Sequence, residues 1–349
     1  MGPSGKPQPG TTIRKSITIN PILPAHSADP WMIHHGGFYY YCESRNRQRS
    51  IFIRKSRTIT GIGNDPGVCV WNAPARGRNR NAVWAPELHR IGDRWFIYYA
   101  ADDGKNENHR MWVLEAEGDD PQGPYRCRGE LRTGGWAIDG TILTLEDERM
   151  FFIWSGWPGK RDGQQNLYIA PMADPLTLSS PRTLICSPDR AWEQGTMPIC
   201  EAPQVLKRNG RIFIVYSASA SWTADYCLGL LVNESNDLLN PAAWRKHGPV
   251  MEKTEHVWGI GHCSFVQSPC RTQDWILYHS KSQKAHGWED RDVHAKQFTW
   301  TREGLPDFGT PLPRGAAVSM PALSVEAATA LFSLNNPLTS SAGAMTNDQ

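Results

Sequence analysis

The 349-residue sequence predicts an all-β chain folded as a five-bladed β-propeller. Three observations carry that expectation. First, ICEAPQVLKRNGRIFIVYSAS (199–219) reads as a hairpin: Asn209-Gly210 is a tight-turn pair, and Ile212 to Tyr216 is a run of β-branched and aromatic residues. Second, the same pattern is written four more times, as DPWMIHHGGFYYYCES from Asp29, WAPELHRIGDRWFIYYAAD from Trp84, DGTILTLEDERMFFIWSG from Asp139 and HCSFVQSPCRTQDWILYHS from His262. Third, the spacing is regular: from Asp29 through Trp84, Asp139 and Glu201 to His262 the intervals are 55, 55, 62 and 61 residues. Units of this length cannot bury their own faces and must stack into a ring. Their innermost strands then converge on a funnel, and the residue opening each copy points into it.

Taken in order, residues 1–15 are Gly/Pro-rich, polar and expected to be disordered. The propeller is expected over 16–313. Blade one runs to about Trp71, followed by the loop APARGRNRN. Blade two contains 84–116 and the turn GDDPQGPY; blade three starts near Gly134 and carries the loop WSGWPGKRDGQQ and the strand LYIAPM. Blade four follows the 192–198 loop and reaches LGLLV, and blade five spans 258–300, closing on the turn REGLPDFGTP. From Arg314 to Gln349 the composition shifts to Ala, Ser, Leu and Thr, which predicts a poorly ordered tail, with one short helix at 325–334.

Composition narrows the function classes. Net charge is +2, so no global field points to nucleic acid or membrane, and no apolar run is long enough for a membrane span. Eight arginines between Arg45 and Arg80 interleave with strand residues such as Ile51 to Ile53, as on a solvated blade edge; a patch for acidic polysaccharide is the competing reading. The eight cysteines contain no C-x-x-C pair and no zinc spacing. Tryptophan, at 15, outnumbers Phe and Tyr at 10 each, which suits both packing between blades and platforms for sugar rings. Residues 1–15 hold no apolar core of signal-peptide length, and a monomer is the default expectation.

Three of the five opening residues are acids: Asp29, Asp139 and Glu201. Hydrolysis of a glycosidic bond needs an acid for the departing oxygen and a base or nucleophile, and carboxyls facing across a funnel suit the wide separation of an inverting enzyme. A third carboxylate beside the acid would raise its pKa by like-charge repulsion. The competing reading makes Asp29 and Asp139, followed by Pro and Gly, mere turn residues. Their alignment with a five-fold repeat favours the chemical one.

The ordered set SADPW (27–31), VWAPELH (83–89), AIDGT (137–141), CEAPQV (200–205) and GIGHCSF (259–265) resembles glycoside hydrolase family 43 over roughly residues 20–312. The resemblance implies inverting hydrolysis of α-L-arabinofuranosides, with β-D-xylosides as the alternative, and a non-catalytic sugar-binding propeller as a reading from another class. It implies Asp29 as general base, Glu201 as general acid and Asp139 as the residue that tunes and orients the acid; Ala202 stands where the family usually has Gly. The run WSGWPG, with NLYIAPMADP, YCLGLL and HAKQFTW, is most similar to the arabinofuranosidase members, including those acting on arabinan ends. It further implies plant cell-wall arabinan or arabinoxylan as substrate, extracellular action, and no cofactor for the chemistry. His262 matches a central histidine near a channel ion such as calcium, or is a hydrogen-bonded residue at a blade start. Trp84 walls the pocket or packs the interior. Trp154 and Trp157 flank a loop over the funnel and could hold a second sugar, core packing being the default for Trp154. Arg291 resembles an arginine reaching sugar hydroxyls, with an ion pair to Glu289 or Asp290 as its competitor.

Overall fold

The computed structural model describes residues 17–24 and 26–319. Five antiparallel sheets follow one another along the chain, each built from consecutive strands starting at the channel. Blade one comprises Trp31–His35, Phe38–Arg45, Ser50–Ser56 and Val68–Asn72. Blade two comprises Asn81–Ile91, Arg94–Asp102, Arg110–Ala116 and Tyr125–Leu131. Blade three has Ala137–Thr144, Met150–Gly156 and Asn166–Asp174, with Thr177–Leu178 and Thr183–Cys186 both pairing outside it. Blade four has Cys200–Arg208, Arg211–Ala218, Cys227–Asn233 and Trp244–Met251. Blade five has Trp258–Gln267, Asp274–Lys281 and Arg291–Trp300, and its outer strand is the pair Pro306–Asp307, read in the sequence as part of a turn.

The expected tight turn at Asn209-Gly210 is present. Arg208 pairs with Arg211, and both turn residues have positive φ, 51° and 73°. That backbone twist matches the twist of the flanking strands.

Apolar residues gather into five clusters, one at each blade interface. Tyr40 and Ile53 meet Leu88 and Trp95; Tyr98 and Met111 meet Phe152 and Trp154. Ile153 and Leu167 meet Ile214 and Tyr216; Phe213 and Leu230 meet Ile276 and Tyr278. Met32 and Tyr41 meet Val266 and Leu277, so the last blade seals against the first. A four-stranded sheet has two apolar faces and one partner for each in such a ring, which is why the repeat forces closure.

Closure is reinforced at the chain ends. Ile17–Ile19 pairs with Ala317–Ser319, so part of the expected tail is strand rather than loose chain: its Val318 is buried in the sealing cluster. Arg314 also reaches the buried Asp292. The expected helix at 325–334, residues 1–15 and the remainder of the tail lie outside the described residues. Buried Asn20 acts as a short piece of strand, its Nδ2 donating to Ala295 O at 2.9 Å while Oδ1 accepts from Ala295 N at 3.1 Å. Asn20→Ala strands both backbone groups of Ala295. A loss of roughly 1–3 kcal/mol is expected in a urea titration, with catalytic rate retained by the folded fraction.

Candidate active site

Each inner strand is kinked where it enters the funnel. Asp29 (φ 49°), Ala85 (43°), Asp139 (54°), Ala202 (50°) and His262 (44°) all hold left-handed backbone, which costs a side-chain-bearing residue of order 1–3 kcal/mol. In blades two to five one extra residue is accommodated there: the ladder pairs Trp84, Ile138, Glu201 and Gly261 with Ala100, Ser155, Ser217 and His279, then shifts register. These are β-bulges, which re-aim side chains at the strand end. The five opening residues are therefore not equivalent. Asp29, Asp139 and His262 sit on the kink, whereas Trp84 and Glu201 sit one residue before it.

A kinked amide loses its ladder partner and must find another. In three blades the partner is a side chain of the preceding blade. Ala202 N donates to Asp139 Oδ2 at 3.2 Å, His262 N to Ser217 Oγ at 2.7 Å, and Asp29 N to His279 Nδ1 at 3.2 Å. Two serines on second strands work in the reverse sense. Ser44 Oγ donates to Val83 O at 2.6 Å, and Ser155 Oγ to Cys200 O at 3.0 Å. The strand entries at Asp29 and around Glu201 are thus held by the blade before them.

The three acids share one field but not one charge state. Burial alone would raise the Asp29 carboxyl, but the Arg291 guanidinium, 3.1 Å from Oδ1, and the His262 and His279 rings at 3.4 Å together outweigh it. Asp29 is held well below the usual carboxylate range. Glu201 moves the other way, to about 7, chiefly through burial. The Tyr226 hydroxyl, donating to its Oε1 at 2.7 Å, holds it down, while the negative charge of Asp29 pushes it up. Asp139 is raised well above the carboxylate range by burial, then by Glu201, Asp29 and Glu87. Like-charge repulsion thus acts on Glu201 from Asp29 and between Glu201 and Asp139, and Asp139 also holds the Ala202 amide beside Glu201. Because the Tyr226 hydroxyl favours ionised Glu201, Tyr226→Phe is expected to move the alkaline limb of kcat/KM upward, by about one pH unit. An unmoved limb in a pH–rate profile would separate Tyr226 from the acid.

Asp29, Trp84 and Arg291 line one cleft of about 740 Å³ between the 45–48 turn of blade one and the 288–291 segment of blade five. Trp84 is stacked on His109 at 4.0 Å, and its Nε1 donates to Gln48 Oε1 at 2.8 Å. Arg291 pairs with Asp29 rather than with Glu289 or Asp290; Asp290 is taken by Lys281. Trp157 is placed differently from expectation. It is 3% exposed and stacked on Trp136 at 4.7 Å, so it packs between blades two and three and leaves no open face for a sugar. Trp154 is buried in the same cluster.

Residues 18–306 match the model of glycosyl hydrolases family 43. The chain belongs to that family. It is 33% identical over 302 residues to alpha-L-arabinofuranosidase 43 of Humicola insolens, covering 82% of this chain and 62% of that protein. It is 32% identical over 314 residues to an extracellular exo-alpha-(1->5)-L-arabinofuranosidase of Streptomyces avermitilis, covering 86% and 65%. The chain thus spans somewhat under two thirds of the length of these two relatives. The crystal structure of an alpha-L-arabinofuranosidase from Lactobacillus brevis superposes with a TM-score of 0.80 at 32% identity, covering 86% of this chain and 98% of that one.

Family 43 membership does not by itself supply an ion site. The Nδ1 of His262 faces Asp29, and calcium needs several oxygen donors, so these side chains alone do not fit the expected channel ion. Among the described residues the one tight cluster of ligand types is Cys186, Glu193 and Cys200, where Lys246 Nζ already sits 2.8 Å from Glu193.

Other residues of this family 43 site escaped the sequence reading: His279, Ser217 and Tyr226 around the acids, and Glu87, a buried channel carboxylate held by His89 at 2.9 Å and by Gln204. A signal existed for the first two. Near the ends of four of the five second strands stand YCES, IWSG, VYSA and LYHS, each with a hydrogen-bonding residue behind an aromatic or apolar run. Tyr226 lies in the 219–226 loop and has no counterpart in the repeat.

Proposed function

We propose that this family 43 chain is an inverting, exo-acting α-L-arabinofuranosidase that removes terminal arabinofuranosyl residues from plant arabinan, arabinoxylan or arabino-oligosaccharides outside the cell. The observation that carries the reading is the opposed charge state of two carboxyls in one funnel. Asp29 is kept ionised by Arg291, as a base that activates water must be, and Glu201 is kept protonated to near neutrality, as an acid must be. Asp139 binds the Ala202 amide and so aims the adjoining Glu201. Trp84 walls the sugar pocket, and Arg291 serves both the base and the sugar hydroxyls. The arabinofuranosidase names of the relatives at 32–33% identity support the choice of sugar, and the Streptomyces avermitilis name supports exo action outside the cell.

A side-by-side assay on aryl α-L-arabinofuranoside, aryl β-D-xyloside and linear arabino-oligosaccharides tests the reading. Release of arabinose from chain ends is expected, with the β-anomer appearing first by NMR. Preferential cleavage of the xyloside would convert the assignment to a β-D-xylosidase. An α-anomer as first product would remove the inverting mechanism.

A further inference from the structure

One aromatic side chain beside the acids lies in a loop outside the repeat. Trp288 is 52% exposed, the most open tryptophan among the large apolar side chains that reach solvent. It lines the same cleft as Asp29 and Arg291. Its indole is not free to swing. Nε1 donates to Ser221 Oγ at 3.1 Å, and the ring meets Trp222 edge-on at 5.4 Å and 64°. The two loops carrying this pair are joined by the Gly287 amide donating to Trp222 O at 2.8 Å. Lys281, buried beneath, ties Gly287 O and Asp290.

The position of this indole relative to the acids decides its use. Ser221 hydrogen-bonds Glu201, so the Trp288 side chain reaches the acid through one hydroxyl. The Trp288 carbonyl accepts from Arg291 Nε at 3.1 Å, and Arg291 grips Asp29. A general acid must touch the oxygen of the group that leaves, so the leaving group lies on the Glu201 side of the cleft. Trp288, half exposed in that cleft and linked to Glu201 through Ser221, is the open aromatic side chain nearest that side. A rigid aromatic ring with its N–H already satisfied offers an apolar face to the C–H face of a neutral sugar.

We propose that Trp288, braced by Trp222, is the platform for the leaving-group sugar, the ring next to the terminal residue in the oligosaccharide. Trp288 is a specificity-determining residue in this scheme. It favours substrates whose second unit is a neutral glycosyl ring over those with a compact leaving group. The inference rests on Glu201 acting as the acid; it does not depend on which terminal sugar is removed.

The test compares arabinotriose, which has a second ring, with α-L-arabinofuranosyl fluoride, which has none. Trp288→Ala is expected to lower kcat/KM for arabinotriose by roughly tenfold more than for the fluoride, because remote binding energy is lost only where there is a ring to bind. Trp288→Phe should recover most of that ratio, and Trp222→Ala should lower it less. Equal losses on both substrates would overturn the proposal and leave Trp288 as a brace for Ser221 and Arg291; an unchanged ratio would overturn it too. If the wild-type protein cleaves xylosides instead, xylotriose and xylosyl fluoride give the same comparison, and the platform stands or falls apart from the arabinose reading. Absence of wild-type turnover in both series overturns both.

Discussion

Glu201→Gln is expected to lower kcat/KM for arabinotriose by on the order of 10³- to 10⁴-fold, the range for loss of a positioned general acid. The amide keeps the size of the side chain and can still accept from Tyr226, whose hydroxyl is 2.7 Å from Oε1, so folding should be preserved. It cannot supply a proton. The loss should therefore shrink to roughly tenfold on an aryl arabinofuranoside whose phenol departs without protonation. The pH profile gives an independent check. Glu201 donates only while protonated, so wild-type kcat/KM should fall as pH rises through about 7, and the variant should show no limb there. A retained alkaline limb, or equal losses on good and poor leaving groups, would take the acid role from Glu201.

Asp29→Asn should produce a loss of similar size, on the order of 10³- to 10⁴-fold, with the opposite signature. Here the missing function is activation of water, so the deficit should be the same for every leaving group. Azide needs no base, and its addition should restore turnover and yield the β-configured glycosyl azide. The substitution also strips Arg291 of its anionic partner and leaves the cation 13% exposed, so thermal unfolding must be recorded alongside activity. A deficit that varies with leaving-group acidity, or one that azide leaves untouched, would displace Asp29 as the base. Together the two variants assign proton donor and proton acceptor by different observables.

Much of this arrangement was legible because the signals are local. Asn209-Gly210 between apolar strands announces a hairpin within a dozen residues, and five such hairpins at near-equal intervals announce a ring. The acids were legible for the same reason: Asp29, Asp139 and Glu201 recur at one place in that repeat. The repeat even predicted which ends of the strands meet. It blurred one detail, since Trp84 and Glu201 precede the kink while Asp139 and His262 occupy it. A single-residue bulge leaves no mark in hydrophobic alternation.

What the chain order alone decided was the number of blades, the two apolar faces of each, and the placing of three carboxyls at strand mouths, because those follow from periodicities of two residues and of about sixty. Ring closure decided the rest. His279 is 250 residues from Asp29 and Arg291 is 262 residues away, yet their contacts set the charge of that acid. Trp157 and Trp288 look alike as loop tryptophans, and only packing buries the first against Trp136 and leaves the second open above the cleft. Ionisation and exposure depend on what surrounds a side chain in three dimensions, and in a propeller those surroundings come from the neighbouring blade.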